Sequence, residues 1–256
     1  MVKAKIQQFF DLLLEMTKKE LTARYKNTIF GFLWVLINPL LQMSTIGFIF
    51  RFFMKEPIQY YYYYLLIGLL VWNFFSMSLT KCTPSIVYER SLVKKAKFPY
   101  SVIPLSIIIS NFIHLIISLF IFTIPILFLN TLKLDSVFYI LAAFILLLLF
   151  TVGISLLSTA LNVRYRDVNF FIQALLIIWF YLNPIVYTLS MIPYKYYWLW
   201  RFNPMTSILQ LTQHGFLQKP LPGVAMLSVN MIIIFLILVI GIYVFKKESK
   251  NFDDWI

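Results

Sequence analysis

The stretch TARYKNTIFGFLWVLINPLL, residues 22–41, places basic residues directly before a long apolar run. Arg24 and Lys26 precede the run, and the pair Asn38–Pro39 falls inside it. Proline removes a backbone donor and clashes with the preceding helical turn, so we expect a kink or a stop at this point. The stretch therefore predicts a membrane-spanning helix that is anchored by cations at one surface and bent at Asn38–Pro39.

The rest of the chain has the composition of a protein that lies in lipid. Of its 256 residues, 61% are hydrophobic and 12% are charged, whereas a soluble domain is nearly half apolar and about a quarter charged. Six apolar segments are long enough to cross a bilayer, which takes about 20 residues each. We place these segments at residues 30–53, 60–82, 102–129, 137–161, 171–190 and 225–245. The sequence predicts one all-α integral membrane domain over residues 1–256 with six transmembrane helices.

Most of the Lys and Arg residues behind the net charge of +12 lie in the arm, the connections and the tail. With the N-terminus inside, the inner side receives 6 Lys and Arg from the N-terminal arm, 5 from the second connection, 2 from the fourth and 3 from the tail, which leaves 6 of the 22 outside. Such a bias toward the cytoplasmic side sets membrane orientation. We therefore expect both termini in the cytoplasm and no nucleic-acid partner.

The N-terminal arm, residues 1–27, reads as an amphipathic helix. Apolar residues recur at helical spacing over residues 6–21. Glu15 with Lys19, and Glu20 with Arg24, have the spacing of favourable ion pairs on one helix face. A basic amphipathic helix beside a membrane span is expected to lie in the membrane interface.

The groups that carry chemistry in other membrane proteins are missing from the apolar segments. All ten acidic residues fall outside them, so no carboxylate is available for an ion or proton relay at mid-depth. His114 is the one ionisable candidate, either for a functional role or for an interhelical hydrogen bond. The single cysteine, Cys82, is expected to serve packing. The sequence has no G-x-x-x-x-G-K phosphate loop. We expect a non-enzymatic subunit without metal or cofactor, whose energy comes from a separate ATPase that holds ATP and Mg²⁺.

Residues 191–224 read as a re-entrant hairpin on the outer side. Asn203 suits the N-cap, Pro204 the first helical position and Gly215 the C-terminal stop. The implied helix of about eleven residues is about 16 Å long, half a bilayer. The aromatic stretch MIPYKYYWLWRF precedes it at residues 191–202. A half-depth hairpin of this kind suits a gate over a channel.

Aromatic residues are unusually frequent, at 19% of the chain. Most of them fit the belts of Tyr and Trp at membrane interfaces. The alternative is glycan contact, because aromatic faces with hydroxyl rims match the C–H faces and polar edges of sugars. The candidates for a glycan channel or gate are Tyr60, Tyr62, Tyr64, Trp72, Tyr194, Tyr197, Trp198 and Trp200.

The inner connection, residues 84–101, carries a short helix that Pro84 opens and Pro99 closes. Its charged residues Glu89, Arg90 and Lys94 suit either a solvated connector or a docking helix that inserts into an ATPase partner. Both interpretations remain open from the residues alone.

Taken together, four stretches resemble the membrane subunit of ABC-2 type polysaccharide exporters, the group of O-antigen and teichoic-acid exporter permeases. These stretches are ARYKNTIFGFLWVLINPLL (23–41), ERSLVKKAKFPYSVIPLS (89–106), LNVRYRDVNFFIQ (161–173), and YLNPIVYTLSMIP (181–193) followed by RFNPMTSI (201–208). The resemblance covers nearly the full length. It implies a homodimer in the bacterial inner membrane that encloses a channel, two P-loop ATPase subunits, and a polysaccharide substrate on undecaprenyl diphosphate.

The resemblance also implies roles for particular residues. ATPase coupling is expected at Leu21, Arg24, Tyr25, Lys26, Ser85, Tyr88, Glu89, Arg90 and Lys94. Contact with the anionic diphosphate is expected at Arg24, Lys26, Arg164 and Arg166, although Arg164 and Arg166 also fit a purely orienting role, with Arg166 paired to Asp167. The alternatives are an ABC-2 drug or lipid exporter and, outside this class, a stand-alone channel or secondary transporter.

Overall fold

The computed structural model describes residues 2–26, 28–53, 58–95, 98–129, 131–133 and 135–255. This part of the chain is helical, with no strand. The α-helices are α1 (Val2–Tyr25), α2 (Trp34–Phe53), α3 (Tyr61–Cys82), α4 (Ser85–Tyr88), α5 (Arg90–Lys95), α6 (Val102–Leu127), α7 (Ser136–Arg164), α8 (Asp167–Tyr181), α9 (Tyr197–Arg201), α10 (Pro204–Leu217), α11 (Val224–Glu248) and α12 (Phe252–Trp255).

Four helical stretches of the described residues are long and apolar enough to cross a membrane. They are Tyr61–Cys82, Val102–Leu127, Ser136–Arg164 and Val224–Trp255. Two further apolar helices are shorter, at Trp34–Phe50 and Asp167–Tyr181. The all-α, multi-pass class is therefore confirmed, and the count of six transmembrane helices stays a prediction.

Proline acts differently at the three Asn–Pro pairs. Helix α2 runs through Pro39 without a break, because this proline lies near the helix start and removes only the donor for the carbonyl of Val35. The fifth apolar segment, predicted to extend to residue 190, is wrong at its C-terminal end. Helix α8 ends at Tyr181, just before the Asn183–Pro184 pair.

The third pair starts a helix, as the sequence predicts, but Gly215 is not its stop. Helix α10 begins at Pro204 and continues to Leu217, and Gln218 closes it in a left-handed conformation with φ 53°. Gly215 lies inside the helix at a close approach to α7. A Cβ there would lie 2.4 Å from Cγ1 of Ile140, so the glycine serves packing.

Helix α3 forms the centre of the bundle. In its 18-residue apolar part 72% of the residues are buried, against 22% in the corresponding part of Val224–Trp255. A helix that is apolar on all sides lies either in a protein core or in lipid, and the high burial of α3 places it in the core of the bundle. The ring of Phe75 on α3 stacks on Phe150 of α7 at 5.3 Å between centroids, and Trp179 of α8 meets both rings edge-on.

Besides the core around α3, a separate cluster of buried side chains packs the helix ends together at one end of the bundle. It is formed by residues of α1, α4 to α7, α11 and α12, among them Leu13, Ile86, Val93, Phe245 and Phe252. We call this the inner end, because the sequence assigns it to the cytoplasm, and the opposite end the outer end. The cluster fixes the N-terminal helix and the inner connection against the membrane-spanning helices.

Candidate functional site

A groove at the inner end separates α1 from the connection that carries α4. Its cavity of about 420 Å³ is lined by Met16, Glu20, Lys81, Ser85 and Tyr88, among others. An ion pair between Lys19 Nζ and Glu89 Oε1, at 2.6 Å, spans the groove. The structure therefore brings α1 and the inner connection together, two regions that the family resemblance implies as contacts for an ATPase.

The predicted coupling residues take different positions around this groove. Tyr88 is 76% exposed and stands at the surface. Ser85 is buried, and its hydroxyl donates to the carbonyl of Cys82 at 2.7 Å. Arg90 and Lys94 are exposed, and Leu21 is half-buried. The side chain of Tyr25 lies outside the described part of the structure.

The C-terminal tail covers the inner connection, which the sequence did not predict. Phe252 is fully buried, and the Tyr100 hydroxyl donates to Asp253 Oδ1 at 2.7 Å. Burial, and then the hydrogen bond and charge of Asp253, raise the pKa of Tyr100 to about 12, so this phenol stays a neutral donor at physiological pH. The only available sequence signal was an aromatic and acidic FDDW stretch after the basic helix end.

The same tail binds two of the four basic residues that were predicted for the diphosphate. The Arg164 guanidinium lies over the ring of Trp255, at 5.4 Å from its centroid. Arg166 Nη2 donates to the Trp255 carbonyl at 3.4 Å, and no ion pair with Asp167 occurs among the described residues. Lys26 is exposed, and Arg24 points into the bundle. Diphosphate contact by this set stays a prediction.

Arg24 enters a cavity between α2, α3 and α6 that is lined by both polar and apolar side chains. Its Nη2 donates to Oδ1 of Asn111, whose amide nitrogen donates to Ser78 Oγ at 3.0 Å. The predicted pair of Glu20 with Arg24 is wrong, because Glu20 Oε2 instead lies 3.8 Å from Lys81 Nζ. The predicted Glu15–Lys19 pair is also replaced, because Glu15 pairs with Lys18 and Lys19 reaches across to the inner connection.

At the outer end, the second and third Asn–Pro pairs contact each other. Asn203 Nδ2 donates to Asn183 Oδ1 at 2.9 Å, and Trp179 Nε1 donates to Asn203 Oδ1 at 3.1 Å. The hydroxyl of Tyr64 donates to the carbonyls of Pro184 and Tyr187, both at 2.9 Å. The turn after α8 is therefore fixed by side chains from α3 and from the start of α10.

The aromatic candidates for glycan contact fall into two sets. Tyr64 and Trp72 are buried at 2% and 6% exposure, whereas Tyr194 and Trp198 are exposed at 91% and 58%. Between them lie Tyr60, Tyr62, Tyr197 and Trp200, which are partly or moderately exposed. The structure does not gather the eight into one surface, and their contact with glycan stays a prediction.

A second outer feature is a cavity of about 480 Å³ between the outer turn and α10. Tyr64, Thr188, Tyr197, Gln210 and Gln213 are among the residues that line it. Gln213 is buried, and its amide donates to the Pro184 carbonyl at 3.0 Å. Polar and aromatic side chains therefore meet at the predicted gate region, and the re-entrant path of residues 191–224 stays a prediction.

The part of the chain that the structure describes contains no group of three or more His, Cys, Asp and Glu side chains that could hold an ion. The free thiol of Cys82 is buried and lies against the carbonyl of Pro104.

The helical, mostly apolar architecture defines a multi-pass integral membrane protein. Residues 11–217, which include the inner groove and helices α2 to α10, match the family model of ABC-2 type transporters. The chain belongs to this family.

Relatives of similar length match nearly the whole chain. The protein is 33% identical over 259 residues to an O-antigen export system permease protein RfbA of Klebsiella pneumoniae, with 99% of this chain and 98% of the relative covered. It is 27% identical over 251 residues to an O-antigen export system permease protein RfbA of Myxococcus xanthus, with 97% and 96% covered. The resemblance found in the sequence motifs is confirmed.

Proposed function

We propose that this chain is the membrane subunit of an ATP-driven exporter that moves polysaccharide linked to undecaprenyl diphosphate across the bacterial inner membrane. The observation that carries this proposal is the full-length similarity to O-antigen export permeases, at 33% identity with 98% of the relative covered. The subunit performs no catalysis, and a separate ATPase supplies the energy. Two copies of the chain enclose the channel, and each copy contacts one ATPase subunit.

The inner groove is the proposed ATPase contact. Tyr88 and Arg90 are exposed at its surface, and Ile86 and Val93 anchor the two short helices in the inner core cluster. A docking surface that rests on a packed core transmits a push from the ATPase to the membrane helices. This arrangement supports the docking interpretation over that of a solvated connector.

We place the contacts with the substrate at the inner and outer ends of the channel. Arg24, Lys26, Arg164 and Arg166 receive the diphosphate at the inner end by charge-assisted hydrogen bonds. The exposed aromatic residues of the region 191–202 contact the glycan at the outer end, with the outer hairpin acting as the gate. Both assignments rest on residue chemistry and on the family.

The proposal is tested in a strain that lacks the gene for this chain. Re-expression together with the ATPase partner is expected to restore surface polysaccharide, measured by gel and antibody staining. An ATPase whose phosphate-loop lysine is replaced is expected to leave lipid-linked glycan in the cytoplasm. Normal surface glycan in the strain without this chain would contradict the proposal, and accumulation of a drug or another lipid instead would favour an ABC-2 exporter of that substrate.

A further inference from the structure

The Arg24 guanidinium is buried at the inner end with most of its hydrogen-bonding capacity unused. It carries five N–H donors, and only Nη2 has a partner, the neutral amide of Asn111. Its Nε and Nη1 atoms are buried and have no hydrogen-bond partner. A charged group in this position costs free energy unless it is paired.

The surrounding side chains supply no counterion for Arg24. The carboxylate expected to pair with it, Glu20, lies at Lys81 on α3, and Lys81 is a second cation. None of the residues that line the cavity is Asp or Glu. A cation shielded from water without an internal anion is unfavourable, so the site favours an anion that enters from outside.

The cavity beside Arg24 has the size and the polar groups for such an anion. It measures about 310 Å³, roughly ten times the ~30 Å³ share of a water molecule. Its polar lining is made of four neutral amides, one hydroxyl and one imidazole, contributed by Asn38, Gln42, Asn73, Asn111, Ser118 and His114. Ser118 Oγ already donates to the His114 carbonyl, and Asn73 and Asn111 each use one amide N–H on Gln42 Oε1 and Ser78 Oγ. The guanidinium and the remaining amide N–H groups match the oxygens of a phosphate group.

The depth and the walls of the cavity indicate that this phosphate is attached to a lipid. Asn111 lies nine residues into α6, which begins at Val102, or about 13 Å along its axis. Apolar walls formed by Trp34, Leu70, Phe74 and Leu115 continue from the polar residues. We propose that the Arg24 cavity binds the phosphate group of a membrane lipid, with the guanidinium as the main ligand.

Two lipids carry this chemistry: an anionic phospholipid and the polyprenyl diphosphate carrier. Binding of the carrier rests on the proposed function, whereas binding of a phospholipid does not. The purified permease in detergent is mixed with phosphatidylglycerol, undecaprenyl diphosphate, inorganic phosphate or phosphate-free diacylglycerol, and retained ligand is measured by native mass spectrometry. Retention of phosphatidylglycerol alone assigns a phospholipid site. Retention of undecaprenyl diphosphate, alone or together, assigns the carrier as an occupant.

Arg24→Gln is expected to weaken retention of the phosphate lipid at least about tenfold, equivalent to about 1.4 kcal/mol. Lys247→Gln removes one exposed cation near the inner end of α11 and serves as the control, with retention unchanged. Equal retention by wild type and Arg24→Gln would overturn the proposal. Diacylglycerol retained as well as phosphatidylglycerol, or inorganic phosphate bound as tightly as the lipids, would overturn it too.

Asn111→Asp tests the charge argument even if Arg24→Gln does not fold. The new carboxylate replaces the amide oxygen that already accepts from Arg24 Nη2, so it supplies an internal counterion without removing the arginine. Retention of the phosphate lipid is expected to fall about tenfold, while the dimer or monomer peak in size-exclusion chromatography stays unchanged. Unaltered retention in this variant would show that the uncompensated charge of Arg24 is not what binds the lipid. Failed glycan export in cells would leave the phosphatidylglycerol result intact, which separates this proposal from the proposed function.

Discussion

Asn203 joins two helix ends through three hydrogen bonds from one side chain. Its Oδ1 accepts from the backbone of Met205 at 3.2 Å, as a cap of α10, and from Trp179 Nε1 at 3.1 Å. Its Nδ2 donates to Asn183 Oδ1 at 2.9 Å. A side chain that satisfies three otherwise orphaned groups is expected to contribute more than an ordinary cap.

Replacing Asn203 by alanine is expected to lower the free energy of unfolding by about 2–4 kcal/mol. The loss of a cap costs about 1 kcal/mol, and the buried Asn183 amide oxygen left without its partner adds about 1–3 kcal/mol. Asn203→Asp keeps both accepted bonds and is expected to lose less. The stabilities of wild type, Asn203→Asp and Asn203→Ala are ranked by their thermal midpoints in detergent, measured by fluorescence-detected size-exclusion chromatography. Asn251→Ala, at an exposed tail position, is the control, and an Asn203→Ala midpoint equal to this control would contradict the prediction.

The sequence predicted the local part of this arrangement and missed the rest for a physical reason. An N-cap followed by Pro204 is a local signal, because the donors and acceptors lie within one helical turn. The bond from Asn203 to Asn183 joins residues twenty positions apart and has no local signature. The role of Gly215 was misread for the same reason, since its close neighbour Ile140 lies on another helix.

At the scale of elements, α7 and α11 approach each other at a pair of glycines. A Cβ on Gly241 would lie 2.1 Å from the carbonyl oxygen of Gly153, a backbone atom that cannot rotate away. Small residues permit this kind of close contact between membrane helices.

Gly241→Ala is therefore expected to force the two helices apart and to destabilise the protein. Overpacking in a core costs about 1–3 kcal/mol, and a clash with backbone places the cost at the upper end of this range. Gly223→Ala is the matched control, because nothing lies within 4 Å of its added Cβ. Thermal midpoints and expression levels of the two variants are compared in the same detergent. Equal midpoints would show that α7 and α11 can shift at little cost.

The ion pair between α1 and the inner connection gives a prediction about coupling. Exposed ion pairs contribute about 0–1 kcal/mol to stability, so Glu89→Lys is expected to leave folding and membrane insertion intact. Export is expected to fall at least about tenfold, because Lys19 then repels the inner connection. ATP hydrolysis is expected to continue without export. The double variant Lys19→Glu with Glu89→Lys restores the attraction and is expected to recover most of the export.

Surface polysaccharide and ATPase activity are measured side by side for these variants. Lys18→Gln is a suitable control, because it removes a cation whose partner Glu15 lies on the same exposed helix face. Normal export by Glu89→Lys would remove the inner connection from the coupling path. A double variant as inactive as Glu89→Lys would indicate that Glu89 contacts the ATPase directly rather than through α1.

Secondary structure at this scale was predictable where one physical signal dominates. Apolar length predicted α3, α6, α7 and α11, because burial in lipid requires it. Helix α8 is 15 residues long, shorter than its apolar segment, because Asn183 and Pro184 turn the chain and side chains of other helices fix that turn. The tail helix α12 was missed, since its stability comes from Phe252 packing into the inner cluster rather than from its four residues.

For the whole molecule, class and family could be derived from composition and motif order, whereas the inner cavity could not. Arg24 looked like an interfacial anchor paired to Glu20, because spacing on one helix was the only geometry that the sequence offers. In the folded chain Glu20 pairs with Lys81, and Arg24 donates to Asn111. Sites of this kind depend on which helices touch, and a single sequence does not specify those contacts.

The charge distribution predicts how the whole molecule is oriented in the membrane. Cysteine labelling can test this orientation, because the chain has a single native cysteine. Cys82 is buried, so Cys82→Ala gives a background without reactive thiols. Tyr194→Cys, at a side chain 91% exposed near the outer end, is expected to react with a membrane-impermeant maleimide in intact spheroplasts. Lys247→Cys, exposed at the inner end, is expected to react only after lysis, because the excess of Lys and Arg holds that side in the cytoplasm. Labelling of Lys247→Cys before lysis, with Tyr194→Cys protected, would invert the topology and move the proposed ATPase groove to the wrong side of the membrane.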